Sequence, residues 1–513
     1  MEKTGRKKIS IVGFGALLLA SSSLISRVLG VFRDSVFSRI FGIGDKGGIF
    51  ALDAYFAAFR IPDFLYTILI FGAMSAAFIP LYTEILNDNE SQASKFASQI
   101  LNTLLFALIV FSVLFWIFTP YVVPIIAPGL EETVKTTTVA LTRIMLLSPI
   151  FLGLSSVFQG VENAHKKFVG IALAPIIYNL SIILAAIFFG NQYGVFALAW
   201  GVVIGALLHF LVQIPGAMST GFKYKLFFSL QGKSFRKFIY LTLPRVFGLM
   251  VSQVGAFIDT IIASLIGIGS ISIFNYALNL QSLPYGVVAV SFSVAIFASL
   301  SEKALDEDKS AFLKTMKIST QTLFFWVFPA VLGLFILRKP VVDLILKGGA
   351  FTESNAQMTI LTLGIFVWAA IAQSFIPFFT RSFYAMKQTK IPVLIALFAV
   401  CLNISISLVL TQIYNLEVFA LAISVLVSSF FNAVLLILFF AKLMKVCPLN
   451  FFNLKKMTFI FLNGSIMGAI VYGASLILNE NIYFQLSVSA GIGFVMYIFA
   501  SKITKTIPSL HEH

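Results

Sequence analysis

Charged residues are scarce in this sequence of 513 residues, since Asp, Glu, Lys and Arg together make up only 11% of it. Hydrophobic residues make up 59%, and 56 residues are Phe. The core of a water-soluble protein cannot hide that much apolar surface, and the connections between the apolar runs are too short for a soluble domain. We therefore expect lipid to be the solvent for most of the chain.

Cysteine and histidine are also rare, which removes several kinds of site. Cys401 lies in an apolar run and Cys447 in a basic loop, so the two cysteines predict neither a disulfide framework nor a metal site. No Walker sequence is present, and no His, Cys and carboxylate group has the spacing of metal ligands. The sequence favours a transporter without a cofactor. The alternative from another functional class is a membrane-embedded glycosyltransferase. Such an enzyme would need acidic residues at the lipid surface, and the outer loops of this sequence contain few.

Fourteen apolar stretches are long enough for a spanning helix, which needs about 20 residues. They lie near 10–40, 50–83, 94–126, 135–162, 167–190, 194–218, 235–266, 270–301, 312–337, 355–384, 389–412, 416–444, 456–478 and 482–502. With a cytoplasmic N-terminus, 24 Lys and Arg residues fall in cytoplasmic connections and six on the opposite side. The sequence thus predicts an all-α polytopic membrane protein of fourteen helices with both termini in the cytoplasm. The net charge of +15 is explained by the Lys and Arg residues of the cytoplasmic connections and does not indicate nucleic-acid binding.

The chain repeats itself at an offset near 220 residues. The repeat is seen in four pairs: Ser26–Gly30 with Pro244–Gly248, Tyr55 with Tyr276, Leu141-Thr142 with Leu361-Thr362, and Ala164 with Ala385. Six spans per offset make the repeat parallel, about an axis along the membrane normal. We therefore predict two pseudo-symmetric six-helix lobes, 1–218 and 219–445, and two additional C-terminal spans in 446–513.

Glycine and proline mark places where the spans should touch or bend. Gly201-x-x-x-Gly205 and Gly464-x-x-x-Gly468 are candidates for close contacts between helices. Prolines such as Pro62 lie inside spans and favour kinks, which transporters use to shape cavities and gates.

The first two spans carry an unusual set of ionisable side chains between Ser26 and Pro80. Residues seven apart on a helix share a face, which pairs Ser26 with Arg33, Arg27 with Asp34 and Asp53 with Arg60. Placing one charge at the bilayer centre costs about 2.5–3.5 kcal/mol on insertion scales, so these groups should not point at lipid. One interpretation puts them near the water interface or in purely structural pairs. The other, which we favour, is a polar cavity between helices that handles a charged ligand.

The arginines of these spans indicate which kind of ligand the cavity would bind. Arg27, Arg33, Arg60 and Arg245 come from spans 1, 2 and 7, which the repeat would set facing each other. A guanidinium binds phosphate with two parallel hydrogen bonds and stays charged at any relevant pH, so a pyrophosphate head is a natural ligand. Arg143 and Arg381, by contrast, are expected near helix ends, where they would snorkel.

Motifs through most of the chain make the sequence resemble one transporter family. They include SRVLGVFRD (26–34), DAYFAAFRIPD (53–63), GAMSAAFIPLYTE (72–84), LTRIM (141–145), APIIYNLS (174–181), LPRVFG (243–248), KPVVDLILKGGAF (339–351) and TRSFYAMKQTKIPV (380–393). The sequence is similar to the MurJ (MviN) family, the flippases for the peptidoglycan precursor lipid II, in the superfamily that also holds the MATE exporters. The resemblance implies two six-helix lobes around a cavity that alternates between the two sides, and a groove for the lipid tail formed by the last two spans.

The resemblance also implies functional residues, partners and a location. By motif position, the residues that match important positions of the family are Ser26, Arg27, Arg33, Asp34 and Asp53. Some members bind sodium between spans 7, 11 and 12, where Asp259 and Asn403 match. The expected substrate is lipid II, moved by a monomer in the bacterial inner membrane with Na⁺ or the membrane potential as driving force. Alternatives are a flippase for another undecaprenyl-linked glycan and a MATE-like exporter.

Two positions depart from the family pattern. Tyr66 and Asn279 stand where members often carry arginine. The arginine cluster is therefore smaller than usual, and we expect Arg60 and Arg245 to take part of its role.

Overall fold

The architecture comes from a computed structural model of the full chain. It describes residues 11–43, 51–71, 74–304, 309–478 and 481–508. By packing, the chain divides into two compact units, Met1–Gly269 and Ser270–His513. The boundaries at 218 and 445, which come from the repeat, stay a prediction.

The regular secondary structure in the described residues of the first unit is helical, and residues 219–232 form a connection without helix. Its helices are α1 (Ile11–Phe41), α2 (Leu52–Leu65), α3 (Ile79–Asp88), α4 (Glu90–Ile126), α5 (Glu132–Met145), α6 (Ser148–Ala164), α7 (Val169–Tyr193), α8 (Val195–Leu211), α9 (Ile214–Met218) and α10 (Lys233–Ile266). Helix α1 packs on α7, α7 on α8, and α2 on α5. Helix α10 lies against α4 and the second span, so span 7 belongs to this unit by its contacts.

The second unit is helical as well. Its helices are α11 (Ser270–Lys303), α12 (Ser310–Ile336), α13 (Arg338–Ile345), α14 (Glu353–Ala385), α15 (Lys390–Leu408), α16 (Phe419–Met444), α17 (Leu454–Ile477) and α18 (Ile482–Ile503). Helix α14 is central, because it packs on α11, α12 and α16. Across the described residues of both units, the β-structure amounts to one isolated bridge, Gly348 with Phe351. The predicted all-α class is confirmed.

Phenylalanine builds the cores of both units. In the first, the rings of Phe78 and Phe96 stack with centroids 5.9 Å apart. In the second, Phe440 receives the edges of Phe379, Phe383 and neighbouring rings at centroid distances down to 4.9 Å. Such edge-on and offset pairs add a favourable quadrupole interaction to dispersion. Because lipid offers no hydrophobic driving force between helices, this close ring packing is what distinguishes the helix interior from the tails outside.

Eleven helical segments in the described residues have the length and composition to cross a membrane. They correspond to the predicted spans 3–7 and 9–14. The predicted spans 1, 2 and 8 fall on α1, on α2 with α3, and on α11, which are helical but outside that set. The polytopic membrane fold is confirmed, while the count of fourteen is not confirmed by length and composition.

The second span is interrupted rather than continuous. After α2 the chain forms a π-helix over Tyr66–Phe71 and another over Met74–Phe78 before α3 begins. The break follows Pro62, which lacks a backbone donor. Widened π turns are frequent at functional sites, and this one begins at Tyr66, three residues after Asp63.

The ends of α6 and α14, which the predicted repeat pairs, have the same local geometry. Lys166 and Lys387 both follow the helix with φ at +58°. In each case the next residue donates its N–H to a carbonyl five residues earlier, Lys167 to Glu162 at 2.8 Å and Gln388 to Phe383 at 2.9 Å. The two helix ends therefore share one conformation, and the repeat itself stays a prediction.

Both predicted glycine motifs mark close helix contacts. A Cβ at Gly201 would lie 2.8 Å from the Ala185 side chain, and one at Gly464 would lie 2.6 Å from the Phe328 ring. These distances are shorter than real Cβ contacts, so only glycine allows α8 to approach α7 and α17 to approach α12 at these points.

Candidate functional site

Helix α1 brings two predicted site residues onto one face. The stretch Ser26–Arg33 contains no proline, so the helix passes through its charged positions without a break. Asn179 of α7 donates from Nδ2 to Ser26 Oγ at 3.1 Å and accepts from Arg33 Nη1 at 3.4 Å. One amide therefore touches both members of the pair, and the predicted shared face is confirmed.

Asp34 is the principal partner of Arg33. Its Oδ1 accepts from Arg33 Nη2 at 3.0 Å and from Nε at 3.2 Å. The Arg33 side chain is 22% exposed and the Asp34 side chain 7%. We call Ser26, Arg33, Asp34 and Asn179 the Arg33 group. It keeps a guanidinium charged among apolar helices and leaves part of it open to a ligand.

Aromatic residues surround the Arg33 group. The Arg33 guanidinium lies 5.7 Å from the centroid of the Phe37 ring, and Phe37 meets Tyr55 of α2 edge to face at 5.6 Å. Tyr55 and Tyr178 also belong to the electrostatic surroundings of Arg33. These rings hold the long arginine side chain in place and exclude water from one side of it.

Arg60 forms a second polar group, between α2 and α10. Its Nε donates to Thr260 Oγ1 at 2.8 Å, while the Thr260 hydroxyl donates to the carbonyl of Ala256 at 2.9 Å. Thr260 is 1% exposed. Because the hydroxyl proton is engaged with the helix backbone, its oxygen is free to accept from the guanidinium.

Two carboxylates accompany Arg60. Asp63 and Asp259 both interact electrostatically with it, and Asp63 Oδ2 accepts from Gln253 Nε2 at 3.4 Å. We call Arg60, Asp63, Gln253, Asp259 and Thr260 the Arg60 group. It joins the second span to α10 through charged and hydrogen-bonding side chains.

Asp53 lies at the start of α2 and binds backbone. It is 6% exposed, and its Oδ2 accepts from the Gly269 N–H at 2.7 Å. Gly269 has φ at +83°, a conformation that glycine adopts readily. Asp53 also borders a cavity of about 70 Å³ together with Glu131 and Ile268. The hydrogen bond from Gly269 to Asp53 ties the chain just after α10 to the start of α2.

The other predicted arginines differ in how deeply they are buried. Arg27 is half-buried on α1, and Arg245 is exposed on α10. No described contact joins Arg245 to the Arg33 or Arg60 group among the residues that the structure covers. Arg143 donates to the Trp116 carbonyl at 3.1 Å and lies over the Trp116 ring, which fits the expected structural role.

The predicted cation ligands belong to different units. Asp259 lies on α10 in the first unit, and Asn403, 7% exposed, lies on α15 in the second. Both offer the oxygen ligands that a hard cation prefers. Their joint role stays a prediction.

Sequence reasoning missed the neutral partners of the two arginines. Asn179, Thr260 and Gln253 lie on apolar helices, where amide and hydroxyl side chains are costly unless they are bonded. Asn179 stands in one of the motifs, APIIYNLS, and an isolated amide in an apolar run was the signal that could have found it.

Comparison with known proteins gives consistent matches along the chain. A sequence profile described as "Lipid II flippase MurJ" matches residues 39–491. The "Probable lipid II flippase MurJ" of Buchnera aphidicola subsp. Acyrthosiphon pisum is 32% identical over 388 residues, covering 74% of this chain and 75% of that protein. The "Lipid II flippase MurJ" of Burkholderia cenocepacia is 31% identical over 394 residues, covering 75% of each.

Solved structures match as well. A structure titled "Lipid II flippase MurJ, inward closed conformation" superposes with a TM-score of 0.79 at 27% identity, covering 95% of this chain and 98% of that one. An inward-facing MATE-family multidrug transporter of the MOP superfamily superposes with a TM-score of 0.65 at 14% identity, covering 82% and 94%. At that identity the second match concerns the fold alone.

Proposed function

The chain belongs to the MurJ family, and we propose that it is a flippase that moves lipid II from the inner to the outer leaflet of the bacterial inner membrane. It is a multi-pass membrane protein and a transporter rather than an enzyme. The profile match over residues 39–491 supports the substrate, since the relatives that share it carry that name.

The Arg33 group is the observation that carries the mechanism. Its guanidinium is held by Asp34 and Asn179, and the Arg33 side chain is 22% exposed. A pyrophosphate offers two oxygens to this guanidinium, whereas both contacts from Asp34 come from a single oxygen. The pyrophosphate would bind beside Asp34 rather than replace it, because a displaced Asp34 would be a buried carboxylate that has lost its arginine partner.

The Arg60 group supports a second contact with the same head group. Arg60 keeps its place through Thr260, which is neutral, and its charge is balanced by Asp63 and Asp259 nearby. We propose that the predicted set, Ser26, Arg27, Arg33, Asp34, Asp53, Arg60 and Arg245, contributes to substrate handling. Within it, Arg33 and Arg60 are the residues expected to touch phosphate.

The direct test is depletion of the protein in growing cells, followed by identification of the lipid-linked precursor that accumulates. We expect undecaprenyl-pyrophosphate disaccharide-peptide to accumulate on the cytoplasmic side. Accumulation of a different undecaprenyl-linked glycan would assign the alternative flippase function. Formation of new glycan by the purified protein from a lipid-linked donor would contradict both and identify a glycosyltransferase.

The driving force is a separate proposal. We propose that Na⁺ or the membrane potential drives the cycle, with Asp259 and Asn403 as candidate cation ligands. Flipping in proteoliposomes should then change when Na⁺ is replaced by choline or when the potential is collapsed. Flipping that is unchanged by either treatment would exclude both forces. We also propose that the functional unit is a monomer, which sizing in nanodiscs would test.

A further inference from the structure

The connection between α9 and α10 carries a cluster of exposed apolar side chains. Its Phe227 N–H donates to the Lys225 carbonyl at 2.7 Å, which makes a three-residue turn with Leu226 at the centre. Leu226 is 91% exposed, Phe228 52% and Leu230 59%. We call these three residues the Leu226 tip. Neighbouring exposed apolar side chains of this size mark an interaction surface.

Polar side chains of α4 hold the backbone of this turn in place. The Lys225 N–H donates to Ser98 Oγ at 3.0 Å, before Leu226. Asn102 Nδ2 donates to the Phe227 carbonyl at 3.0 Å, after it. The backbone is thus fixed on both sides of Leu226. The exposure of this leucine is therefore built into the packing of the connection on α4.

Contacts along α4 give the depth of the Leu226 tip. This helix has 37 residues and is about 55 Å long, whereas the hydrocarbon core is about 30 Å thick. Its largely apolar part is 104–126, so the residues before it lie outside the hydrocarbon. Phe228 meets Phe106 edge to face with ring centroids 5.6 Å apart. Gln231 accepts through its carbonyl from Gln99 Nε2 at 3.1 Å, and Gln99 is about 10 Å before Phe106 along the helix. The tip therefore reaches the hydrocarbon boundary, while the end of the connection stays outside.

The same connection and the start of α10 are strongly basic. Residues 219–240 contain five Lys or Arg residues and no Asp or Glu. Lys223, Lys233 and Arg236 are exposed, and none of the ion pairs that the structure describes includes them. The charge bias places this connection on the cytoplasmic side, where the leaflet carries anionic lipids. Positive charge and an apolar tip thus lie together at the level of the lipid head groups.

We propose that the Leu226 tip inserts into the cytoplasmic leaflet and that Lys223, Lys233 and Arg236 bind the phosphate groups of anionic phospholipids there. Apolar insertion and electrostatic attraction act together in segments that lie in a membrane interface. A soluble acidic partner would satisfy the basic residues but not a tip that lies beside the lipid tails at Phe106. The segment is a lipid-dependent anchor for the start of α10. This inference goes beyond the proposed function, and its test involves no transport.

The test is a fluorescence measurement on the full-length protein in nanodiscs. The variant Leu226→Cys, in the background Cys401→Ser/Cys447→Ser, carries an environment-sensitive dye. Nitroxide groups near the head-group end of the acyl chains quench a dye that enters the leaflet. We expect quenching that is stronger in mixed phosphatidylglycerol and phosphatidylcholine than in phosphatidylcholine alone. Gln231→Cys with the same dye is the matched control, since Gln231 is exposed on the same connection but lies outside the hydrocarbon, and it should not be quenched.

Charge variants test the head-group contact. In Lys223→Gln/Lys233→Gln/Arg236→Gln, the dye at position 226 should lose its response to phosphatidylglycerol. Each positive charge near an anionic surface favours the inserted tip by about fivefold, so the single variants should each lose part of the response. The matched control removes three exposed lysines from the second unit and should keep the full response: Lys390→Gln, Lys455→Gln and Lys502→Gln.

Three results would contradict the proposal. Equal quenching at position 226 with and without phosphatidylglycerol would show insertion without recognition of anionic lipid. A dye that is shielded from water but not quenched by the nitroxide lipids would mean that another protein or a second copy covers the tip. A dye that remains in water in both kinds of nanodisc would show that the tip does not insert.

Discussion

At the scale of single residues, the contact between Arg33 and Asp34 has an unusual geometry. Neighbouring residues on a helix point about 100° apart and do not normally face each other. Arg33 nevertheless places both Nε and Nη2 within 3.2 Å of Asp34 Oδ1. Both contacts go to one oxygen, so the arrangement is not the parallel two-oxygen fork that binds most strongly. A phosphate that offers two oxygens would improve on it.

Removing the Arg33 guanidinium should therefore abolish flipping without preventing insertion. Arg33→Ala loses a charge-assisted contact of about 1.5–3 kcal/mol, a factor of about 10 to 100 in binding. Arg33→Lys should restore activity only in part, because an ammonium keeps the charge but not the fork. Appearance of lipid II in the outer leaflet of cells that express each variant measures this. If Arg33→Ala fails to accumulate in the membrane, the residue is structural and its assignment is wrong.

The Arg60 contact allows a more conservative test. Thr260→Val keeps the shape of the side chain but removes the oxygen that accepts from Arg60 Nε at 2.8 Å. We expect weaker transport with normal abundance, because the guanidinium is no longer held in place, and recovery in Thr260→Ser, which restores the acceptor. The same lipid II assay applies. Equal activity of Thr260→Val and wild type would show that the hydrogen bond does not position Arg60 for transport.

The site residues divide by how far their partners lie along the chain. Ser26 and Arg33 could be paired from the sequence because a helix fixes the relation between residues seven apart. Their common partner Asn179 is 146 residues from Arg33, and nothing local determines which helix packs on α1. Arg60 and Thr260 are likewise 200 residues apart. Long-range neutral partners depend on tertiary packing, which one sequence does not reveal.

At the scale of elements, long apolar helices were predictable and their internal geometry was not. The apolar runs locate helices such as α4 and α16 within a few residues, because lipid length sets them. The second span, expected near 50–83, instead changes to π turns at Tyr66. Pro62 signals a kink, but a kink and a π turn use the same residue types.

Lysines end four helices in a left-handed conformation. Lys166, Lys387, Lys445 and Lys505 have φ between 53° and 58°, and in each case the following N–H bonds to a carbonyl five residues earlier. All four belong to the connections that the charge bias places in the cytoplasm. Glycine would be the usual choice at such a position. A lysine there adds a positive charge next to the negative end of the helix dipole and to the cytoplasmic side of the topology.

A stability measurement can show how much the left-handed conformation of a lysine costs the folded protein. Lys387→Gly should stabilise the protein by about 1 kcal/mol, because a residue with a Cβ is strained at φ +58° and glycine is not. Lys314→Gly is the control, since it places glycine inside α12 and should destabilise by a similar amount. Thermal unfolding in the same detergent compares the two. Destabilisation by Lys387→Gly would mean that the lysine side chain contributes more than the strain removes.

At the scale of the whole molecule, composition determined the class and charge placement predicts the orientation. A hydrophobic content of 59% with 11% charged residues leaves only a membrane protein, and the all-helical structure agrees. The unit boundary after Gly269 could not be read from the repeat, because α10 packs with the elements that precede it. Helix partners follow from packing surfaces, whereas a repeat records only the order of elements.

The orientation rests on 24 Lys and Arg residues against six, and two exposed positions can test it. Cys447 is free and exposed in a connection predicted to be cytoplasmic, and Ser354 is exposed at the start of α14, predicted to be outside. In Cys401→Ser, Cys447 should react with an impermeant maleimide only after cells are permeabilised. In Cys401→Ser/Cys447→Ser/Ser354→Cys, labelling should occur on intact cells.

The two reporters distinguish two kinds of error in the topology. Three predicted spans separate Ser354 from Cys447, so the residues must lie on opposite sides if spans 10, 11 and 12 are counted correctly. Reporters on the same side would mean that one of those three does not cross. Reporters on opposite sides but both reversed would mean a miscount earlier in the chain, among the spans that include α1 and the interrupted second span. Only Cys447 inside and Ser354 outside agrees with an N-terminus in the cytoplasm and an unbroken alternation through fourteen spans.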